Sequence, residues 1–175
     1  MNPVVILFKA GDDLLGRAIK FFTGSPYGHT AIFLAGFTFE STGWQTPGAK
    51  WWQFWTYRSG IKISRGELMG GTSLSPLIVP SDSQVELMLE FATDQINDRW
   101  WYNGLLLIAD ALIYPTRWFW NKIGWIPFSS RYLGTVCSTF VDEMFKAAGI
   151  DLWPGRSEAT TVPGDYVKCP LLKVV

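Results

Sequence analysis

Apolar and polar positions follow two different periods along this chain, and each change of period marks an element. "VVILF" (Val4 to Phe8) is a continuous apolar run and predicts a short buried strand. "DDLLGRAIKFFTG" switches to helical spacing, with Leu14, Leu15, Ala18, Ile19 and Phe22 on one face and Gly24 as the stop. After the turn residues "SPYG", "HTAIFLAGFTFEST" reads as two β-rich runs joined near Ala35-Gly36. Further strands are predicted around "GIKIS" and "LSPLIVP". Ser81 and Gln84 form a capping box for the helix "DSQVELMLEFATDQIND", where Val85, Met88, Ala92 and Ile96 keep one face. A second apolar helix runs from Asn103 to Tyr114 and stops at Pro115. In "GTVCSTFVDEMFKAAGIDL" the apolar positions Phe140, Val141, Met144, Phe145 and Ala148 recur at helical spacing, and Gly149 follows as a left-handed cap. The tail "TTVPGDYVKCPLLKVV" adds a Pro-Gly turn and a last strand.

These elements make one α+β domain over residues 1–175, with no repeat, linker or low-complexity tract. A chain of 175 residues is long enough for a full core. The 15 basic and 15 acidic residues cancel, and no run of Lys or Arg supplies the footprint of a nucleic-acid protein. The N-terminus has no basic region ahead of its short apolar run, and "GLLLIADALIY" is interrupted by Asp110, so neither a signal peptide nor a transmembrane helix is expected. A cytoplasmic protein follows from that reading, with Cys137 and Cys169 as free thiols. One His and two widely separated Cys lack the paired spacing of a zinc site, and no metal or other cofactor is expected.

Cys137 carries the candidate chemistry. It falls in the first turn of its helix, where unpaired backbone N–H groups and the helix dipole favour an anion, so a thiolate there is stabilised. A lone cysteine is more often a small buried hydrophobe, and the position alone does not separate the two. His29, the only histidine, opens a strand. If Leu34 and Phe37 flank a two-residue turn, Ala31 lies opposite Glu40 and His29 becomes Glu40's diagonal neighbour on one face. Cys137 as nucleophile, His29 as base and Glu40 as the group that fixes the imidazole would then form one constellation. An exposed turn histidine and a water-facing glutamate are the plain alternatives.

The order "GDDLLGRAIKFFTGSPYGHTAIFL", Glu40, "CSTFVDEMFKAAGIDL" and "TVPGDY" resembles the circularly permuted NlpC-like cysteine hydrolases of the papain-like superfamily, relatives of lecithin:retinol acyltransferase. In that group a Gly-Asp turn leads to an "S-x-x-x-H-x-x-I" strand, a polar residue lies on the next strand, the nucleophile opens a later helix as "C-S-x-x-V", and a Pro-x-Asp turn comes near the end. The corresponding residues are Gly11-Asp12, Ser25 to Ile32, Glu40, Cys137 to Val141 and Pro163 to Asp165. Each motif is short; the order, His before Cys, is the specific part. The resemblance implies a permuted papain-like fold, with an antiparallel sheet of five or six strands packed on the nucleophile helix. It also implies a thiol hydrolase that cleaves an amide or peptide bond through an acyl-enzyme, peptidoglycan stem peptides being a substrate associated with such enzymes. A lipid acyltransferase or lipase with the same triad, and a non-catalytic module that binds cell-wall or membrane material, are the alternatives. Tyr102 resembles a position where relatives place a Tyr near the substrate, although the usual glycine two residues earlier is Trp100.

Ten tryptophans bear on the partner. Trp44, Trp51, Trp52 and Trp55 form one cluster and Trp118, Trp120 and Trp125 another. Such loops could wall a groove for a peptide or acyl-bearing substrate, touch a bilayer interface or cell wall, or simply fill the core.

Overall fold

The apolar runs of Val4–Phe8 and His29–Leu34 lie side by side at the middle of a six-stranded sheet. The computed structural model describes residues 4–11, 14–42, 60–66, 71–97, 119, 122, 137–156 and 161–175. Its strands are β1 (Val5–Lys9), β2 (His29–Leu34), β3 (Phe37–Thr42), β4 (Gly60–Arg65), β5 (Ser73–Pro76) and β6 (Leu172–Val174). They are ordered β4-β3-β2-β1-β5-β6, and every neighbouring pair is antiparallel. Beside the sheet run the helices α1 (Leu14–Thr23), α2 (Asp82–Asn97) and α3 (Cys137–Ala147). The fold class is therefore α+β. Among the described residues no helix is long and apolar enough to cross a membrane.

The β2–β3 hairpin sets the register that matters most. Ala35 and Gly36 both have positive φ, 51° and 84°, as a two-residue turn matched to the sheet twist requires. Leu34 pairs with Phe37, Phe33 with Thr38 and Ile32 with Phe39. The same register carried one step further sets Ala31 against Glu40, which leaves Glu40 on the His29 face. On the other side of β3, Glu40 pairs directly with Lys62 of β4.

The opposite face of the sheet carries the core. Ile6, Phe8, Ile32, Leu34, Phe39 and Leu74 pack against Val85, Met88 and Ala92 of α2 and Phe140, Val141, Met144 and Phe145 of α3. Each such side chain removed from water contributes roughly 1.5–3 kcal/mol. The helix ends are specified locally. Gln84 N–H donates to the Ser81 hydroxyl and Ser81 N–H to the Gln84 amide oxygen, which starts α2. At the end of α3, Gly149 has φ 73°; Gly149 N–H bonds Lys146 O and Ile150 N–H bonds Phe145 O, the paired bonds of a Schellman stop.

Two elements differ from expectation. The strand expected through "LSPLIVP" stops at Pro76, opposite the start of its partner β6 at Leu172; Leu77 N–H still bonds Leu171 O, and Leu77, Ile78 and Val79 run on exposed. The tail's Pro-Gly turn is a 3-10 helix, Pro163–Lys168, in which the Asp165 carboxylate accepts the Val162 N–H. The helix expected over 103–114 and Trp44, Trp51, Trp52, Trp55, Trp118, Trp120 and Trp125 lie outside the described residues.

Before β2 the chain passes a point where backbone touches backbone. A Cβ on Gly28 would stand 2.7 Å from Gly16 Cα and 2.9 Å from Gly16 O. Gly28 N–H is also held by Lys9 O and Ala10 O, so the residue before His29 is fixed by β1. Gly28→Ala is expected to cost about 1–3 kcal/mol of stability through this overlap. Chemical denaturation checks it, with Gly24→Ala as the comparison, since a Cβ on Gly24 meets nothing within 4 Å and only its φ of 63° is strained.

Candidate active site

Cys137 is the first residue of α3, and its side chain shares the helix stripe of Phe140, Val141 and Met144 that faces the sheet. The stripe pins the helix start over the beginning of β2, where His29 and Thr30 stand. His29 Nε2 lies 3.1 Å from Glu40 Oε2. Glu40 Oε1 in turn lies 3.3 Å from Lys62 Nζ. With Nε2 engaged by the carboxylate, Nδ1 is the ring nitrogen left for the sulfur. The structure thus brings Cys137, His29 and Glu40 together, while Tyr102 lies outside the described residues.

The electrostatics follow from this row of alternating charges. For Cys137, burial opposes ionisation, but the charge and hydrogen bond of His29, with smaller help from Thr30, bring the thiol below its ordinary range. For His29, burial opposes the cation; the Cys137 sulfur and the Glu40 carboxylate more than offset it and raise the imidazole to about 10. Glu40 is held below the usual carboxylate range chiefly by its hydrogen bond to His29, with Lys62 adding to the effect against partial burial. Each partner thus favours the charged form of the other, and the geometry stabilises thiolate and imidazolium together. Cys137 is only 2% exposed, whereas the His29 and Glu40 side chains are 19% and 18% exposed.

The surroundings fix both partners through contacts far apart in sequence. Ser25, buried and bonded to the backbone of Tyr27, lies so close to Gly164 that a Cβ there would meet Ser25 Oγ at 2.7 Å. The segment leading to His29 is thereby packed on the Pro163–Asp165 turn. Beneath the nucleophile helix, the Tyr166 hydroxyl donates to Ser138 O at 2.6 Å and Ser138 Oγ donates to Thr161 O at 2.6 Å. Thr161 Oγ1 donates to Asp142 Oδ2 at 2.7 Å, and burial raises Asp142 to about 7 despite that bond. Arg156 completes the support, bonding Asp165 and lying 5.1 Å over the Trp153 ring.

Sequence reasoning did not find Lys62, Thr30 or Tyr166. Lys62 had a usable signal, because pairing "FTFEST" with "GIKIS" sets a lysine against Glu40. Tyr166 had none, since its bond to Ser138 spans 28 positions. Among the described residues both cysteines are free, and no three His, Cys, Asp or Glu side chains gather as a metal site. Cys169 is unlike Cys137: buried away from any helix start, its thiol donates to Leu152 O and burial pushes it up. No protein-family model matches the chain, and no curated protein matches it.

Alkylation by iodoacetamide should select Cys137 over Cys169 and persist below about pH 7, where an ordinary thiol is only slightly ionised. His29→Ala should move the rate–pH profile upward toward the ordinary thiol range, because burial is then opposed only by the smaller contribution of Thr30. Glu40→Gln should move it less. Mass-spectrometric labelling across pH reads all three, and an unshifted profile in His29→Ala would contradict the ion pair.

Proposed function

We propose that this protein is a cysteine hydrolase with the permuted NlpC-like, papain-like arrangement, cleaving an amide or peptide bond through a Cys137–His29–Glu40 triad. The observation that carries the reading is the imidazole held between a helix-start thiol and a carboxylate, with Nε2 on Glu40. The motif order, His before Cys, and an antiparallel sheet backed by the thiol's helix support it. Peptidoglycan-type stem peptides are the substrate class this resemblance suggests.

The chemistry follows from the charge state. The Cys137 thiolate attacks the carbonyl carbon, and the carbonyl π pair moves to oxygen. Its negative charge is met by backbone N–H groups at the start of α3, which have no intrahelical acceptor and point outward. The tetrahedral intermediate collapses as the C–N bond breaks, and the imidazolium Nδ1–H gives its proton to the leaving amine. The now neutral imidazole next takes a proton from water, whose oxygen attacks the thioester. Collapse releases the carboxylic acid and returns thiolate and imidazolium. Throughout, Glu40 remains anionic, holds the ring by Nε2–H and stabilises its cation. Its own anchoring by Lys62 keeps the second carboxylate oxygen from turning the ring away. An acyl acceptor other than water would turn the same intermediate to transfer.

Trapping the intermediate tests the proposal. Acid-quenched incubation with an activated p-nitrophenyl ester, and separately with short peptide p-nitroanilides, should yield an acyl adduct on the Cys137 peptide and an initial burst of chromophore. Cys137→Ala should lose the adduct and at least ~10³-fold of turnover. Undiminished turnover in Cys137→Ala, or an adduct only on another residue, would overturn the assignment.

A further inference from the structure

Thr30 follows His29 on β2, so its side chain points to the opposite face of the strand. That is the face of Ile32 and Leu34, on which α3 packs. Cys137 lies one turn ahead of Phe140, Val141 and Met144, the side chains by which α3 packs there. The Thr30 hydroxyl is thus under the first turn of the nucleophile helix. Its residue is 0% exposed, and Oγ1 is buried without a hydrogen-bond partner among the described residues. Such orphans are rare in a folded protein, because the group loses water and gains nothing. Phe8, its cross-strand partner, offers only apolar side-chain surface. The one strong acceptor that α3 brings to this spot is the Cys137 sulfur once it is charged.

We propose that Thr30 is a further residue of the reaction site, its buried hydroxyl donating a hydrogen bond to the Cys137 thiolate from the side of the strand opposite His29. This rests on the reading of Cys137 as a thiolate nucleophile and deepens it. The hydroxyl proton turns freely about the C–O bond, so the bond forms with the anion and is given up when the sulfur becomes an uncharged thioester. Thr30 stands close enough to the sulfur that both its backbone N–H and its hydroxyl act to lower the Cys137 thiol, although the hydroxyl makes no bond to it within ordinary hydrogen-bond geometry. A donor on that side holds the thiolate without competing for the imidazole proton that the leaving group needs. Among the described residues the titratable groups facing the sulfur are His29 from β2 and Tyr166 from the 3-10 helix, and burial raises Tyr166 well above its usual range.

The test is the pH dependence of iodoacetamide labelling at Cys137 in the full chain, together with thermal melting. Thr30→Val keeps shape and removes the hydroxyl; Thr30→Ser keeps the hydroxyl. The expected result is a profile moved upward in Thr30→Val, with labelling about tenfold slower at mildly acidic pH, and a profile close to wild type in Thr30→Ser. Melting is recorded alongside to show that each variant is folded. Thr30→Ala serves the same comparison if the valine variant does not fold. A wild-type profile in the variants lacking the hydroxyl overturns the proposal, and Thr30 is then packing alone. His29→Ala separates the two levels. If it shifts the profile while Thr30→Val does not, only the Thr30 proposal fails; if neither shifts an ordinary thiol profile, the nucleophile reading fails and takes this one with it.

Discussion

A sulfur with almost no contact with water can carry charge only where an opposite charge replaces the lost hydration. Cys137 is in that position, and His29 supplies the charge. Burial alone would make both groups neutral, an inert thiol and an uncharged imidazole. Their mutual attraction reverses both shifts, and Glu40 and Lys62 extend it into a row that alternates cation and anion from Lys62 to Cys137. Lys62 is 51% exposed, so the row begins in water and ends in the interior. The outermost ion pair is weak in itself. Its value lies in orientation: it occupies one Glu40 oxygen and leaves the other for the imidazole.

The fold can be read as the set of constraints that keep this row assembled. The Ala35-Gly36 turn fixes the β2–β3 register, and a slip of one residue would send Glu40 to the core face, away from His29. The glycine contacts of Gly11, Gly16 and Gly28 tie the start of β2 to the end of β1, so His29 cannot drift along the sheet. The apolar stripe of α3 sets the height of its first residue over the sheet. Tyr166 and Ser138 then brace that helix from the tail of the chain. Core packing and site geometry are therefore served by the same side chains.

How much of this was legible in the sequence depends on the range of the interaction. The Ser81–Gln84 box, the Gly149 stop and the two-residue turn at Ala35-Gly36 are local, and each carries its own chemical signature. Strand parity extended that reach to the facing of His29 and Glu40. The thiol's place at a helix start was also local. What brought the helix start to that strand was not, because α3 and β2 are separated by about a hundred residues and meet through generic apolar packing that many partners could satisfy. Ser25 against Gly164, Tyr166 to Ser138 and the depth at which Thr30 is buried belong to the same class. The early end of β5 shows the converse: "LIVP" has strand composition but no strand beside it, and pairing, not propensity, decides.

The charge of the imidazole tests the central claim most directly, and His29 is the only histidine, so its ring nitrogens give a single unambiguous set of NMR signals. A pH titration of uniformly 15N-labelled protein should find both nitrogens protonated through neutral pH, with the proton lost at about 10. In Cys137→Ala the same signals should titrate lower, since the anion that raises them is gone. A ring that is neutral at neutral pH and titrates near the ordinary imidazole value of about 6.5 in both proteins would contradict the ion pair and the account built on it.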